Sequence, residues 1–581
     1  MHRRIATLAL IFVASVGRAD LTYRVLPKPA TGRLVVMIEI PTRGGETTLQ
    51  MPRWSPGAYV LSEPGKNVQD FRASDENGVS LPVTNVDPST WRIGAGKGTI
   101  QVVYSVPGTL ADETIHYSGS STYMYVVARK QERCHLRLEI PGDWRVAVGL
   151  DPESGGNAYG AKSYDVLADN PVTMGHFLED HYTSAGRDHT IAMRNPAKSK
   201  VDRAHLIKAA KFVSDMQSDF FGGAPYHKYV WHFGVTDRAD GAGGLEHLSS
   251  TQISLAAGVG PVTVGVMSHE FFHLWNVKRI RSRPLGPFDY QNLPQTGALW
   301  WLEGATDYFA HLLLNRYGWF DGAEIRQQIV RNLDRQRARP ARMEISPYMA
   351  SYRVREANGG RGNSDGFQVS YYDTGFLCAL CLDTEILSQT GGRRSLDDVE
   401  RNLWKLCRDD KPGFQEGEIR NQCVLVGGPA MGAFYDRVVM TPGELPVEAQ
   451  LAKIGLRLTK ATEAFADFGF SAIPSAQDKG FLVQGEPRSW DGLKSGDLIV
   501  EINGAPVNQD SPFALAGAYR TATEKLKSGD VMKLKIRRGT DELTVTRNVT
   551  EGSRPISKVE EDPSATAAAK RLYAIWIAKK R

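Results

Sequence analysis

The stretch Met267-Ser-His-Glu-Phe-Phe-His-Leu-Trp275 sets two histidines, His269 and His273, four residues apart, with Glu270 directly after the first. Around it, from about Val262 to Val277, the chain is apolar and compatible with a helix. On a helix, side chains four apart stand one above the other, so both imidazoles leave one face at chelating distance. Zinc takes nitrogen and oxygen ligands at about 2.0 Å, and a catalytic site uses three protein ligands and leaves the fourth place to water. Glu270 is positioned to take a proton from that water rather than to bind the metal.

A third ligand is required, and two known placements are testable on the sequence. One class sets a glycine three residues and a histidine six residues past the second histidine; those positions hold Asn276 and Arg279, which excludes it. The other sets a glutamate on the following helix, and Trp300-Trp-Leu-Glu-Gly-Ala-Thr-Asp-Tyr308 offers Glu303. A carboxylate among Trp300, Trp301, Leu302 and Ala305 is seldom left unpaired. The expectation is one zinc ion on His269, His273 and Glu303.

Three textures along the chain must position these residues. From Asp20 to about Asn170, short alternating runs such as Arg33-Leu-Val-Val-Met-Ile-Glu-Ile40 are separated by Pro/Gly turns, which predicts a β-rich domain over 20–175. Helical periods take over after about Val201 and continue to about Val439, predicting a mainly helical domain over 176–445. Glycine and β-branched residues return near Ile454, and a helix is predicted from Ala565 to Lys579, within a helical tail assigned to 556–581. The fold class expected is multidomain α+β.

The segments His269-Glu-Phe-Phe-His-Leu-Trp-Asn-Val-Lys-Arg-Ile-Arg281 and Leu299-Trp-Trp-Leu-Glu-Gly304, with Pro52-Arg-Trp-Ser-Pro-Gly-Ala-Tyr59 and Gly243-Gly-Leu-Glu-His247 before them, resemble the glycyl aminopeptidase family of zinc metallopeptidases. The resemblance spans nearly the whole chain after residue 19. It implies a β domain, a thermolysin-like catalytic domain and a PDZ domain, and removal of N-terminal glycine and alanine. Gly492-Leu-Lys-Ser-Gly-Asp-Leu-Ile-Val-Glu-Ile-Asn-Gly504 resembles a bacterial-type PDZ segment, placing a PDZ-like domain at 446–555, with an unrelated β-barrel as the alternative.

Gly243, Gly244 and Glu246 are similar to the Gly-x-Met-Glu-Asn motif of the related membrane alanyl aminopeptidases, whose glutamate holds the substrate's free α-amino group. His247 replaces the asparagine. By the same resemblance Tyr372 supplies the oxyanion donor, in Ser370-Tyr-Tyr-Asp-Thr-Gly375, with Thr374 in place of a lysine and Tyr371 as a neighbouring competitor. The chemistry implied is zinc-assisted hydrolysis of peptides with a free N-terminus. The rival readings are a zinc endopeptidase with PDZ-guided capture and a non-catalytic PDZ-containing binding protein.

Composition bounds the rest. With 41% hydrophobic and 23% charged residues over 581 positions, the chain suits a multidomain globular protein. Arg3 and Arg4, the apolar Ile5–Val16 and Gly17-Arg18-Ala19 predict a signal peptide over 1–19, and hence a periplasmic or secreted protein. That stretch is too short to span a bilayer and no later one qualifies, so stable membrane insertion is not expected. The formal charge of +5 falls to about +2 without Arg3, Arg4 and Arg18, and no basic stripe appears, so nucleic acid is not an expected partner. The five cysteines form an odd set; Cys378 and Cys381, in an apolar run, suit a helix core better than a redox pair.

Overall fold

The computed structural model describes residues 20–41, 44–195, 201–235, 243–255, 259–357, 368–409, 411–475, 477–509 and 512–579; the expected signal segment, 1–19, lies outside them. The N-terminal part is built of strands. In Arg33–Pro41 burial alternates, with Leu34, Val36, Ile38 and Ile40 inward, as period-2 patterning requires of a sheet packed on one face. This strand pairs antiparallel with Leu21–Lys28 and with Thr99–Pro107 inside a seven-stranded sheet. Two four-stranded sheets complete the part, and the inward side chains share one core that includes Leu34, Trp91, Tyr104 and Met174.

The middle block is mainly helical, as expected, but it opens with a five-stranded sheet that was not foreseen, in the order Leu178–Ser184, Arg187–Arg194, Lys228–Val235, Ser250–Leu255, Gly243–Glu246. The three inner strands are parallel and the two edges antiparallel. An inner parallel strand is buried on both faces and reads as an unbroken apolar run. Tyr229-Val-Trp-His-Phe233 is such a run, with no alternation to separate it from a buried helix.

Helices pack on this sheet. Proline at the first turn starts the helix Pro261–Phe272, and His273 closes it in right-handed helical geometry, four residues before the expected end. A π-helical turn, Trp300–Ala305, runs directly into the helix Thr306–Arg316. The helix Tyr371–Thr390 starts on Ser370, whose Oγ accepts from the Asp373 amide at 3.2 Å, and stops on Gly391 at φ 62°. Cys378 and Cys381 are buried within it, and all five cysteines are unpaired.

The C-terminal unit has its own core, formed by the strands Gly480–Gln484, Leu498–Ile502, Val531–Arg538 and Asp541–Asn548. Leu456–Asp467 and Thr550–Glu561 form a two-stranded antiparallel ribbon beside it. The tail expected to be helical from 556 is therefore strand as far as Glu561, because each residue of that stretch pairs with the opposite strand. The closing helix is Ala567–Ile577, and it returns to the middle block: Trp576 Nε1 donates to the Tyr308 hydroxyl at 2.8 Å and Arg316 Nε to the Trp576 carbonyl at 2.7 Å. Among the described residues no helix is long and apolar enough to cross a membrane.

Candidate active site

His269 and His273 leave the same face of their helix, and their Nε2 atoms stand 2.9 Å apart. Glu303 Oε2 lies 3.5 Å from His269 Nε2 and 3.3 Å from His273 Nε2. The other ring nitrogens are already engaged. His273 Nδ1 is 2.6 Å from the Asn276 carbonyl and so must carry the proton, and His269 Nδ1 is 3.4 Å from Asp307 Oδ1. Both Nε2 lone pairs are thereby turned to one point, and a buried Glu303 Oε1 there accepts no hydrogen bond among the described residues. Two imidazole nitrogens and a carboxylate converging in this way repel unless a proton or a metal ion lies between them, and outer partners of this kind fix the tautomer of metal-binding histidines. The donor set fits a divalent cation with nitrogen and oxygen ligands.

The turn after the helix is tied to the π-helical turn. Asn276 Nδ2 donates to the Trp301 carbonyl and to Thr306 Oγ1, each at 3.1 Å, which locks Glu303 to the two histidines. Asn276 and Asp307 were not singled out from sequence; their signal was positional only, three residues past His273 and four past Glu303.

A second cluster shares His273. Ligand atoms of Glu246, Glu270 and His273 lie within 4.8 Å of one another, as do those of His269, His273 and Glu303. Glu246 ends the edge strand Gly243–Glu246, whose register pairs it with Thr251. This strand passes so close over the helix that a Cβ on Gly244 would stand 2.3 Å from Cγ and Cδ of Glu270. Glycine at 244 is thus a packing requirement set by the glutamate of the HExxH segment. Gly243 is open, with nothing near its Cβ direction. Glu246 Oε1 and Glu270 Oε2 are both buried without a hydrogen bond among the described residues.

The charges around these carboxylates set their protonation. Burial pushes the Glu270 carboxyl up, Glu246 and Glu303 add to the rise, His269 and His273 oppose it, and it comes to about 7. Burial would also raise Glu303, but the facing His273 and His269 overcome it and hold Glu303 well below the usual carboxylate range. His269 is raised, because Asp307 and Glu303 outweigh the burial that would lower it.

Beneath Glu246 lies a buried ion group that sequence reasoning missed. Lys278 Nζ is 2.8 Å from Asp169 Oδ1 and 3.8 Å from Glu246 Oε1, and Asp169 Oδ2 accepts from the Leu248 amide at 2.7 Å. His247 joins this group rather than extending the amine pocket, with Nδ1 3.3 Å from Asp169 Oδ1 and Nε2 2.9 Å from Gln252 Nε2.

Tyr372, partly buried, has its ring centroid 6.2 Å from that of His269 and 4.9 Å from that of Tyr371. Burial, and next the Glu303 charge, push its phenol well above the usual range, so it keeps its proton. Its helix is held against the Glu303 turn by glycines on both sides. A Cβ on Gly304 would lie 2.5 Å from the Gly375 Cα, and one on Gly375 would lie 2.2 Å from the Trp300 carbonyl oxygen.

With this geometry in place, comparison with known families is decisive at the coarse level. A profile described as the Peptidase M61 N-terminal domain matches residues 22–176, and one described as M61 glycyl aminopeptidase matches residues 262–378. The two matched segments are thus similar to the two domains of M61 peptidases. The second contains His269, Glu270, His273, Glu303 and Tyr372. No curated protein matches. Among solved structures, an aminopeptidase N family protein from Idiomarina loihiensis is 21% identical at TM-score 0.74, covering 96% of this chain and 100% of its own, which establishes a shared fold. A variant of an M1 zinc metallopeptidase from Deinococcus radiodurans, bound to a Tyr-Ser-Ala substrate, is 12% identical at TM-score 0.47, over 74% of this chain and 96% of its own. The coarse activity carried by the M61 matches is that of a peptidase.

Proposed function

We propose that this peptidase is a zinc aminopeptidase that removes small N-terminal residues, glycine and alanine, from peptides with a free α-amine. The observation that supports it most is the pair of acidic clusters sharing His273. His269, His273 and Glu303 would hold one zinc ion, and Glu246 lies close beside it with an unsatisfied, buried carboxylate oxygen. An α-amine, with a pKa of about 8, is largely cationic at neutral pH. A fixed carboxylate there binds it and places the first peptide bond, and no later one, at the metal position.

Bound at this triad, zinc would supply Lewis acidity toward the scissile carbonyl and acidify a water molecule. Glu270 takes the proton of the attacking water and returns it to the leaving amine as the C–N bond breaks. The Tyr372 hydroxyl donates a hydrogen bond to the oxygen on which negative charge develops. Glu246 accepts from the α-ammonium throughout.

Further parts of the reading follow from the resemblance. The sheet and helix of the C-terminal unit are assigned as a PDZ-like domain over 446–555, able to take an extended peptide by strand addition. The catalytic block, 176–445, is assigned the thermolysin-like fold. Residues 1–19 are assigned as a signal peptide, making the protein periplasmic or secreted.

The test is hydrolysis of glycyl-, alanyl- and leucyl-p-nitroanilide beside acetyl-alanyl-p-nitroanilide, by the protein and its Glu270→Gln variant, with and without a chelator. Turnover of small free-amine substrates that is lost with the chelator and in the variant is the expected result. Equal cleavage of the acetylated substrate would remove the aminopeptidase reading and leave a zinc endopeptidase. No turnover from zinc-loaded protein would point to a binding role for the C-terminal unit.

A further inference from the structure

We propose that Tyr59, carried by the N-terminal β part, is a substrate-contacting residue, its phenol oxygen accepting a hydrogen bond from the substrate's α-ammonium beside Glu246. This rests on the aminopeptidase reading above.

The segment Pro52–Tyr59 leaves the core of its own domain. Leu49 and Met51 are buried in the N-terminal core, whereas Trp54 and Tyr59 are buried in the apolar core of the catalytic block. The crossing is pinned at its Trp54 end. The Arg53 amide donates to the Tyr290 carbonyl at 2.9 Å, Trp54 Nε1 donates to the Asp289 carbonyl at 2.8 Å, and Trp54 stacks on Tyr59 at 6.1 Å between ring centroids.

Between these aromatics Gly57, at φ 105°, lies directly on the amine-binding carboxylate: a Cβ there would stand 2.5 Å from both Oε1 and Oε2 of Glu246. Backbone from the N-terminal part is therefore one wall of the pocket around Glu246. Tyr59 follows two residues on and is itself in the left-handed region at φ 50°, a conformation a bulky residue adopts only where its surroundings impose it, and one enriched at functional sites.

Tyr59 is 1% exposed. A phenol so buried ordinarily finds a partner. Gly57 holds this segment against the Glu246 carboxylate, which brings the Tyr59 ring within reach of the Glu246 and Glu303 charges. An ammonium has three N–H donors. Glu246 Oε1 accepts no hydrogen bond among the described residues, with Lys278 Nζ 3.8 Å away, and a neutral phenol oxygen is a second acceptor that adds no charge to a cluster already holding three glutamates. Nothing in composition or periodicity marks Tyr59 for this; only the fold carries it across the domain boundary.

The experiment uses the full chain loaded with zinc. In the Glu270→Gln background, where hydrolysis is blocked, binding of alanyl-alanine and acetyl-alanyl-alanine is measured by calorimetry with and without Tyr59→Phe. In the parent background the same substitution is assayed on alanyl-p-nitroanilide. The expected result is a loss of about 10-fold in affinity for the free-amine dipeptide alone, matched by a rise in KM of about the same size with kcat within about two-fold. The thermal midpoint of Tyr59→Phe reports whether the fold is kept. Unchanged affinity and KM in a protein that does cleave alanyl-p-nitroanilide would overturn the role of Tyr59 and leave the aminopeptidase reading standing. Absence of cleavage by the parent would overturn both.

Discussion

Three glutamates crowd the same two imidazoles, and two of them, Glu303 and Glu270, are held in different states because each meets the histidines differently. Glu303 faces both histidines with one oxygen and is kept ionised, as a ligand must be, whereas Glu270, equally buried, is brought up to about 7. Environments that push two carboxyls apart in this way separate a permanent anion from a group that exchanges protons. Tyr372 belongs to the same division, because a phenol raised by burial stays a donor at neutral pH. Tyr372→Phe should lower kcat by about 100-fold with little change in KM, since the hydrogen bond is made to charge that exists only in the transition state. Steady-state kinetics on alanyl-p-nitroanilide checks this.

A fourth buried glutamate does different work. Glu400 is fully buried on the helix Leu396–Cys407, neither carboxylate oxygen has a well-formed hydrogen bond, and burial pushes its pKa up to about 8, with the Trp301 indole opposing only in part. Its folded pKa lies above the unfolded value near 4.3, so the native state holds the proton between the two. The stability this group contributes is full at pH 4 and below and is lost as pH rises through about 8. Glu400→Gln should therefore stabilise the protein more at pH 8 than at pH 5, by about 3 kcal/mol in the difference. Urea denaturation of both proteins at the two pH values measures it.

At the scale of elements, the site depends on backbone contact more than on side-chain packing. The turn carrying Glu303 and the helix carrying Tyr372 meet at Gly304 and Gly375, where there is no room for a methyl group. The obstructing atoms are the Trp300 carbonyl and the Gly375 backbone, which cannot rotate aside. Gly375→Ala should cost about 2–4 kcal/mol and weaken zinc binding, because Glu303 is displaced with its turn. Thermal denaturation and a zinc titration report the two effects. Gly244 of the edge strand lets the strand lie on the Glu270 side chain, and Glu246 is thereby presented beside it.

For the whole molecule, the decisive feature is that the N-terminal part and the middle block share buried charge. Asp169, in the loop after the short helix Tyr164–Ala168 of the N-terminal part, is bound to Lys278, which follows the HExxH helix and lies next to Glu246. Burial alone would raise the Asp169 carboxyl, and Lys278 and His247 hold it below the usual range. Its contribution is thus present above about pH 4 and lost as pH falls through the depressed value. Lys278→Met would leave two carboxylates buried without a cation, and a loss of about 3–5 kcal/mol is expected at pH 7. The double variant Lys278→Met with Asp169→Asn should recover part of it, and a double-mutant cycle in urea denaturation gives the coupling.

What the sequence determined by itself is local. The i, i+4 spacing of His269 and His273, with Glu270 between them, is a statement about helical periodicity, and the helix Pro261–Phe272 with His273 at its end meets it. Glu303 was legible because a carboxylate among tryptophans needs a partner, and alternation in stretches such as Arg33–Pro41 announces a half-buried sheet. The inner strands of the catalytic sheet were not legible, because burial on both faces erases alternation. Only the tertiary structure decided the long-range contacts: Glu246 beside Glu270, Asp169 under Lys278, Gly57 against Glu246, and the last helix back on Tyr308 and Arg316. These pairs are separated by up to hundreds of residues, and their chemistry depends on distance and exclusion of water. Neither quantity has a period along the chain.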